Sequence, residues 1–244
     1  VFVDDNPAER HIVKTQLPEV AAPEIGDPVQ YLTTLDRAGF FEVTNFSQDD
    51  LKRNEMYQAN AARQKLEASF ANYRDYLLSL QMKAEIEPFS PLYMSRIAQL
   101  TNKSNQFNLT TKRCSLSDIE ALANDPAYIT LYGKLEDKFG DNGVVSVVFG
   151  HRDHTDAALF HIDLWLMSCR VLKRDMEKAM LDALVMRCQN AGITCIKGYY
   201  YPTAKNAMVK EFYRTLGFTL ISEDETGNTI WEYIIPQSYV CANN

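Results

Sequence analysis

Cys169 is the residue whose type and position best suit covalent chemistry. It ends a predicted strand, 157–169, and precedes a predicted helix, 174–191. Three cations lie close to it in the sequence: Arg170, Lys173 and Arg174. A helix N-terminus and neighbouring cations both stabilise a thiolate, so the position favours a nucleophile. A free cysteine at a strand end is also commonly a buried core residue, so both interpretations stay open on position alone.

The other cysteines are weaker candidates. Cys188 lies within a predicted helix, Cys195 in a predicted core strand and Cys241 in the C-terminal tail, so we predict structural roles for them. We assign no function to Cys114. The odd total of five, without a CxxC pair or a zinc-finger spacing, indicates free thiols in a reducing compartment.

Histidines are the natural partners of a catalytic cysteine, and two groups of them occur. His161 and Asp163 share a face of the strand that ends in Cys169, which suggests a Cys–His–Asp triad. At about 3.3 Å per residue, however, a continuous strand separates His161 from Cys169 by roughly 26 Å, so we predict that a base for Cys169 comes from elsewhere. His151 and His154 lie in the polar segment HRDHTD, from which either could swing over the sheet, although such loop histidines are commonly solvated.

The elements that must position these residues alternate between strand and helix. The opening VFVDD predicts a buried strand, and the helix after it has Asn6 as its N-cap and Pro7 at its first position. A stretch without Gly or Pro, 47–81, predicts a long linking helix with at most one break. From residue 82 the predicted order is β-α-α-β-β-β-α-β-α-β-β, with a hairpin turn at 141–143 and the last helix at 204–216. This is a mixed α/β fold with a mixed sheet.

Composition and charge narrow the function classes. The 244 residues carry a net charge of −7 and no concentrated Lys/Arg run, so nucleic acid is not an expected partner. No apolar stretch approaches the roughly 18 residues of a membrane-spanning helix and no signal-peptide pattern is visible, so we expect a cytoplasmic protein without a membrane partner. Because the chain begins at Val1 within a predicted strand, we expect a fragment of a longer protein.

The predicted element order resembles that of the GNAT acyltransferases, and one segment strengthens the resemblance. The run KNAMVKEFYRTLGF places Asn206, Tyr213 and Gly217-Phe218 as they recur in the last helix and strand of that family. The resemblance implies that Asn206 braces the cofactor groove and that Tyr213 protonates the departing thiolate of coenzyme A. Asn206 could equally be a polar surface residue, and Tyr213 a half-buried aromatic residue without a catalytic role.

The junction after the long strand resembles the GNAT turn Arg/Gln-x-x-Gly-x-Gly/Ala, whose backbone N–H groups hold the pyrophosphate of coenzyme A at a helix N-terminus. Here the pattern reads Arg170-x-x-Lys173-x-Asp175. The resemblance assigns cofactor binding to four residues of this turn: Arg170, Val171, Lys173 and Arg174. Side chains at both glycine positions obstruct close approach, and Asp175 adds a negative charge. We therefore expect the turn to suit a phosphopantetheine arm, with one phosphodiester, better than coenzyme A.

Four segments in order resemble the FkbH-like family over essentially the whole chain: VFVDDNPAER, LTNKSNQFNLTTKR, WLMSCRVLKRDMEKAML and GYYYPTAKNAMVKEFYRTLGF. Members of that family resemble a haloacid-dehalogenase-type (HAD) phosphatase domain followed by a GNAT-like domain. Some pass the glyceryl group of 1,3-bisphosphoglycerate, through an enzyme thioester, to an acyl carrier protein, and others belong to surface-polysaccharide gene clusters. The resemblance implies that Cys169 is the thioester nucleophile.

The same resemblance assigns further residues. Asp4 and Asp5 match a HAD motif in which paired carboxylates hold Mg²⁺ against a substrate phosphate, although Asp-Asp-Asn-Pro is also a plausible turn and helix cap. The aspartate nucleophile and the lysine of that chemistry are not in this chain, so we expect no phosphatase activity from it. Asn105, Gln106 and Asn108 either bind the acyl substrate or cap and cross-link the first helices.

These inferences predict three segments and one main function. Residues 1–44 are the end of a HAD-like domain, 45–81 a helical linker and 82–244 a GNAT-like domain. The predicted function is transfer of a small acyl group, plausibly glyceryl from an acyl phosphate, through Cys169 to an acyl carrier protein, with Tyr213 as proton donor. One alternative is an acyl-coenzyme A-dependent N-acyltransferase acting on an amino sugar or amino acid. Another is a non-catalytic module that docks a carrier protein.

Overall fold

A computed structural model describes residues 1–41 and 53–241, and the chain forms two compact units, residues 1–51 and 52–244. The first unit contains helix α1 (Pro7–Gln16), a 3₁₀ turn (Pro28–Gln30) and helix α2 (Tyr31–Arg37). The predicted cap of α1 is confirmed, because the Asn6 side chain accepts a hydrogen bond from Ala8 N. None of the helices in the described ranges is long and apolar enough to cross a membrane.

The predicted buried strand at the N-terminus is wrong. Val1 is 53% exposed, and no β-ladder forms over residues 1–5. Within the described ranges, the segment makes one backbone–backbone hydrogen bond to a distant residue, from Phe2 N to Ala21 O at 2.8 Å. A strand needs a neighbour along its whole length, and one bond does not make a ladder.

The second unit, here called the sheet unit, is built on a seven-stranded sheet with the order β1-β2-β3-β4-β5-β7-β6. Its strands are β1 (Lys83–Glu87), β2 (Tyr128–Asp137), β3 (Gly140–Arg152), β4 (Leu159–Met167), β5 (Cys195–Tyr200), β6 (Thr219–Glu223) and β7 (Thr229–Ile234). Its helices are α3 (Arg53–Glu67), α4 (Tyr73–Ser79), α5 (Met94–Lys103), α6 (Leu116–Asn124), α7 (Met176–Asn190) and α8 (Phe212–Thr215). The predicted α/β class with a mixed sheet is confirmed.

The sheet is covered on both faces. Apolar residues of α5 and α6, such as Ile97 and Ile119, pack on one face against Phe149. Residues of α7 and α8, such as Leu184 and Phe212, pack on the other face. Burial of side chains of this size contributes about 1.5–3 kcal/mol each, so the two layers hold the strand ends of the sheet in fixed positions.

Strands β4 and β5 form the one parallel pair among the described strands, and they stay together only briefly. They are paired from Leu159 opposite Cys195 to His161 opposite Lys197, although both strands continue beyond that point. The neighbouring β3–β4 pair is antiparallel and holds one irregularity, where Asp163 is an extra residue between two paired positions. Such bulges change the direction in which nearby side chains point.

The linking helix has the one break that its prediction allowed: it forms α3 and α4, and Asn72 begins the second helix by accepting a hydrogen bond from Arg74 N; residues 47–52 of that prediction lie outside the described residues. Two other local predictions differ from the structure. The β2–β3 turn lies at residues 138–139, not at 141–143. The predicted helix 204–216 is a 3₁₀ turn (Ala207–Val209) followed by the four-residue α8.

A buried ionic cluster fastens α3 to the sheet. Arg63 donates from Nε and Nη2 to the two carboxylate oxygens of Asp137, each at 2.8 Å, and Arg174 Nη1 donates to the same carboxylate at 3.0 Å. The Asp137 side chain is fully buried, and both guanidinium groups are less than a tenth exposed. Burial lowers the pKa of Arg174, and repulsion from Arg63 lowers it further. The cluster therefore depends on Asp137 for its charge balance.

Candidate active site

A polar cavity of about 610 Å³ opens on the sheet where β3, β4 and β5 meet, and we call it the histidine pocket. It is lined by Thr110, Lys112, His151, Asp153, His161, Ile162, Asp163, Tyr199 and Tyr201. All of these residues belong to the sheet unit. Two histidines, two carboxylates and two tyrosines thus converge on one cavity large enough for a small substrate.

The strand register explains this convergence. His151 of β3 lies directly opposite His161 of β4, and their rings stack with centroids 5.1 Å apart. Gly150 allows β3 to approach closely there, because a Cβ at this position would lie 1.9 Å from the carbonyl oxygen of His161. The extra residue of the bulge, Asp163, reaches back to His151.

His151 and Asp163 form an oriented pair. His151 Nδ1 lies 3.0 Å from Asp163 Oδ1, and because a carboxylate only accepts, Nδ1 carries the hydrogen. In the neutral imidazole the lone pair is then on Nε2, for which no hydrogen-bond partner occurs among the described residues. A histidine held in one tautomer by a carboxylate, with its second nitrogen available, is the arrangement of a general base.

His161 uses both of its ring nitrogens. Nε2 lies 3.0 Å from Asp153 Oδ2 and Nδ1 lies 2.7 Å from the hydroxyl oxygen of Tyr199. Hydrogen bonds from Thr155, from the Asp156 backbone and from His161 lower the pKa of Asp153, so its carboxylate is ionised and fixes a hydrogen on Nε2. Tyr199, His161 and Asp153 therefore form a continuous hydrogen-bonded chain at the pocket.

The loop after α5 forms one wall of the pocket. The Thr110 hydroxyl donates to the backbone oxygen of Asp163 at 2.7 Å, and Lys112 Nζ lies 3.4 Å from the Asp163 carboxylate. Lys112 also lies over the Phe149 ring. These contacts place one ammonium group at the edge of the pocket, next to the oriented pair.

The same loop fills the space where β4 and β5 separate. Leu109 N donates to Trp165 O, Met167 N donates to Phe107 O and Tyr201 N donates to Leu109 O, at 2.9–3.1 Å. Phe107 and Leu109 are both buried in the core. Residues 107–109 therefore behave as a short inserted strand between β4 and the end of β5, and the backbone groups that face this gap are already paired.

Cys169 lies beyond the far end of β4, in a 3₁₀ turn (Cys169–Val171), and its side chain is exposed. Cys114 and Cys188 are buried, and Cys195 and Cys241 are partly buried. Burial raises the pKa of Cys188 to about 12 and that of Cys195 to about 11, which keeps both as thiols. Along β4 the six residue steps from His161 to Met167 span about 20 Å, so Cys169 and the histidine pocket are separate sites.

Two residues in the turn after Cys169 have the backbone conformation that glycine adopts most easily, although neither is glycine. Lys173 and Asp175 have φ values of 63° and 58°, in the left-handed region. The backbone oxygen of Lys173 accepts a hydrogen bond from the Tyr73 hydroxyl at 2.7 Å, and Asp175 pairs with Lys178 at 2.9 Å. Non-glycine residues in this region are strained by about 1–3 kcal/mol each.

Several solved structures resemble this chain. An acetyltransferase of the GNAT family from Streptococcus pneumoniae has a TM-score of 0.50 at 11% identity, with 63% of this chain and 100% of that chain covered. The GNAT domain of S. lividans PAT has a TM-score of 0.49 at 17% identity, with 62% and 90% covered. No protein-family model and no curated protein sequence matches the chain. The sheet unit has a GNAT-like fold.

Tyr213 lies deep in this GNAT-like unit. It is fully buried against Trp165 and Trp231, and a Cβ on Gly198 would come within 2.4 Å of its ring. Its hydroxyl makes no regular hydrogen bond within the described residues, and burial raises its pKa. The Tyr213 hydroxyl therefore does not reach the histidine pocket, as the proton-donor role that the resemblance assigns to it would require.

Asn206 is also fully buried, and it braces the chain's own loop. Its amide donates to Asn108 O and to Tyr201 O, each at 2.9 Å, and its side-chain oxygen accepts from Thr203 N at 2.7 Å. The residue that the resemblance assigns to a cofactor groove is thus fully engaged in holding the inserted segment 107–109.

The predicted anion site at the turn is also largely engaged. Arg174 is buried on Asp137, and Arg170 contacts Ser168 and Met56. Val171 is a core residue. With side chains at both glycine positions, the residues present do not fit the diphosphate of coenzyme A in the way the GNAT turn holds it.

Replacing Lys173 by glycine tests the strain at this turn. Glycine adopts a φ of 63° freely, so we expect Lys173→Gly to raise the free energy of unfolding by about 1 kcal/mol in urea titrations. Lys173→Ala, which keeps the penalty, is the matched control and should give no gain. Equal effects of the two substitutions would contradict the assignment of strain.

The remaining predicted residues lie in two places. Asn105 contacts Arg113, and Asn108 is fully buried and accepts from Thr111 N, so both cross-link the loop, while Gln106 is exposed. Asp4 accepts from Asn6 N, and Asp5 is exposed. Within the part of the chain that the structure describes, no three His, Cys, Asp or Glu side chains are grouped to hold a metal ion. The Mg²⁺ site and the HAD-like origin of 1–44 stay predictions.

The histidine pocket is not among the sites predicted from the sequence. His151 is predicted to lie in a polar loop, and that prediction is wrong, because His151 lies within β3. The signal was present in the spacing: His161 and Asp163 alternate on one strand face, and an antiparallel neighbour ending at Arg152 brings His151 opposite them. The bulge at Asp163, which lets it bond to His151, has no recognisable sequence signal.

Proposed function

We propose that the sheet unit is an acyltransferase and that the histidine pocket activates the acyl acceptor. The observation that carries this proposal is the His151–Asp163 pair, held at 3.0 Å in a cavity of about 610 Å³ on a GNAT-like sheet. The acceptor, a thiol, amine or hydroxyl group, gives its proton to His151 Nε2 as it attacks the acyl carbonyl carbon. The bond between that carbon and the leaving group then breaks.

The donor in this proposal is a thioester that does not need the diphosphate site by which GNAT enzymes hold coenzyme A. One observation supports that choice: side chains, those of Lys173 and Asp175, occupy both glycine positions of the turn. The FkbH-like resemblance predicts a carrier-protein phosphopantetheine arm as the acceptor, and such an arm, here taken as the donor, makes weaker demands on the turn. A small polyhydroxylated acyl group such as glyceryl suits the polar lining of the pocket.

The exposure of Cys169 favours a second candidate, the FkbH-like route through a Cys169 thioester. In that route the thiol attacks an acyl phosphate, phosphate leaves, and the acyl group then passes to a pantetheine thiol. The structure offers an accessible sulfur but places the histidine pocket about 20 Å away along β4. The first route therefore predicts that substitution of His151 lowers the rate of transfer, and the second predicts that substitution of Cys169 does.

Transfer between thiols separates the routes. We expect this chain to move a glyceryl group from S-glyceryl-pantetheine to N-acetylcysteamine, with the product followed by mass spectrometry. Cys169→Ser should leave the rate within about twofold, and intact-protein spectra should show no glyceryl mass on the chain. Loss of transfer in Cys169→Ser, with a glyceryl adduct on the wild type that the variant lacks, would replace the proposed route with the covalent one. Absence of transfer by the wild type would contradict both routes and favour a docking module.

A further inference from the structure

We infer that Tyr199 is the proton donor to the leaving group of this acyl transfer, and that His161, held by Asp153, returns a proton to it. The inference rests on the proposed function and assigns the acid that the reaction needs in addition to the base His151. The juxtaposition behind it is a tyrosine hydroxyl that lines the pocket and lies 2.7 Å from a histidine whose other nitrogen lies 3.0 Å from a carboxylate.

The need for an acid follows from the chemistry of the leaving group. An alkyl thiol is at least as weak an acid as the cysteine thiol, whose pKa is about 8.5, so its thiolate leaves faster at neutral pH when a proton arrives as the bond breaks. Tyr213, the residue that family resemblance suggests, is buried beneath Gly198 in the core. Among the described residues, Tyr199 and Tyr201 are the tyrosines that line the pocket, and Tyr199 is the one bonded to a histidine.

The hydrogen bonds run from Asp153 through His161 to Tyr199, and this sequence allows a proton to pass from His161 to Tyr199 and on to the pocket. Asp153 only accepts, so His161 Nε2 carries a hydrogen in every protonation state. When both ring nitrogens of His161 carry a hydrogen, its Nδ1–H donates to the Tyr199 oxygen. The phenolic hydrogen of Tyr199 is then directed away from His161 and is available to a molecule in the pocket.

The proton balance closes over one turnover. As the carbon–sulfur bond breaks, the sulfur takes the phenolic hydrogen of Tyr199, and the Tyr199 oxygen takes the Nδ1 hydrogen of His161. His161 is left neutral, while His151 holds the proton taken from the acceptor. Exchange with solvent then removes one proton from His151 and returns one to His161. Tyr199 is the catalytic residue of this relay, and His161 and Asp153 are positioning residues that act through it.

The surroundings of Tyr199 agree with a donor that keeps its proton until the reaction. Partial burial raises the pKa of the Tyr199 hydroxyl, and the neighbouring Tyr201, Asp163 and Asp153 raise it further. The His161 and Tyr199 rings are nearly parallel, with an interplanar angle of 21°, and the hydrogen bond of 2.7 Å holds the Tyr199 oxygen at the imidazole. The donor is therefore held in place and protonated at neutral pH.

Leaving-group dependence tests the relay directly. The probes are an alkyl thioester, S-acetyl-pantetheine, and an aryl thioester, S-acetyl-thiophenol, whose thiolate leaves without a proton. We expect Tyr199→Phe to slow transfer from the alkyl donor about 100-fold and from the aryl donor less than about threefold. His161→Gln should show the same selective loss. Urea midpoints of both variants confirm that they are folded.

Three results would overturn the inference. An equal loss with both donors in Tyr199→Phe would show a structural role only. A selective loss in Tyr213→Phe, with Tyr199→Phe unaffected, would return the donor role to Tyr213. Absence of transfer from both donors by the wild type would contradict the proposed function and the relay together, whereas the first two results would overturn the relay alone.

Discussion

Replacement of His151 by asparagine should lower the rate constant of acyl transfer by about 10²–10⁴-fold. Asparagine keeps a polar amide near the position of Nδ1 but offers no basic nitrogen to take the acceptor proton. Because His151 is bonded to Asp163 at 3.0 Å and stacked on His161, the imidazole is held ready and the loss is not offset by rearrangement. The measurement is the initial rate of transfer from S-glyceryl-pantetheine to N-acetylcysteamine.

His154→Asn is the matched control for that substitution. His154 is exposed and three residues away in the same segment, with its ring 6.2 Å from that of His151, but it does not line the histidine pocket. We expect its transfer rate to stay within about twofold of the wild type. Equal losses in the two variants, or wild-type rates in His151→Asn, would show that His151 is not the base.

Replacement of Asp137 by asparagine should reduce the free energy of unfolding of the sheet unit by about 3–5 kcal/mol. The substitution keeps the size of the side chain but leaves the guanidinium groups of Arg63 and Arg174 buried without a counter-charge. The loss should appear in urea denaturation as a lower midpoint with an unchanged slope. A stable α3 depends on this cluster, because the helix carries many polar residues.

Glu136→Gln removes the same charge from the adjacent position and serves as the control. Glu136 is exposed on β2, so its removal should change the free energy of unfolding by less than about 0.5 kcal/mol. A comparable small loss in Asp137→Asn would mean that the buried cluster contributes little.

Most strands and the longer helices of the sheet unit could be predicted from the sequence, because their apolar spacing is regular. The 47–81 stretch and the 204–216 stretch show the limit. Asn72 begins a new helix in the first, and in the second the chain bends where Asn206 is bound to Asn108 and Tyr201. Both interruptions depend on hydrogen bonds that local composition does not reveal.

The candidate site was predicted only in part because it depends on contacts between distant residues. Cys169 could be recognised from a strand–helix junction, and its exposure is visible in the structure. The histidine pocket required a hairpin register, a bulge at Asp163 and an inserted segment, 107–109, from a loop some fifty residues earlier. Spacing along one strand correctly separated His161 from Cys169, but it could not reveal the partners that His161 has in β5 and the following loop.

Imidazole NMR of the four histidines tests the central claim most directly. The chain, labelled with ¹⁵N at its histidine side chains, would be titrated with a non-hydrolysable thioether analogue of S-glyceryl-pantetheine. Binding in the histidine pocket predicts that the His151 and His161 signals shift in a saturable manner, while those of His11 and His154 do not. Unchanged His151 and His161 signals, together with saturable shifts of the backbone amides of residues 169–175, would place the acyl site at the Cys169 turn and contradict the account.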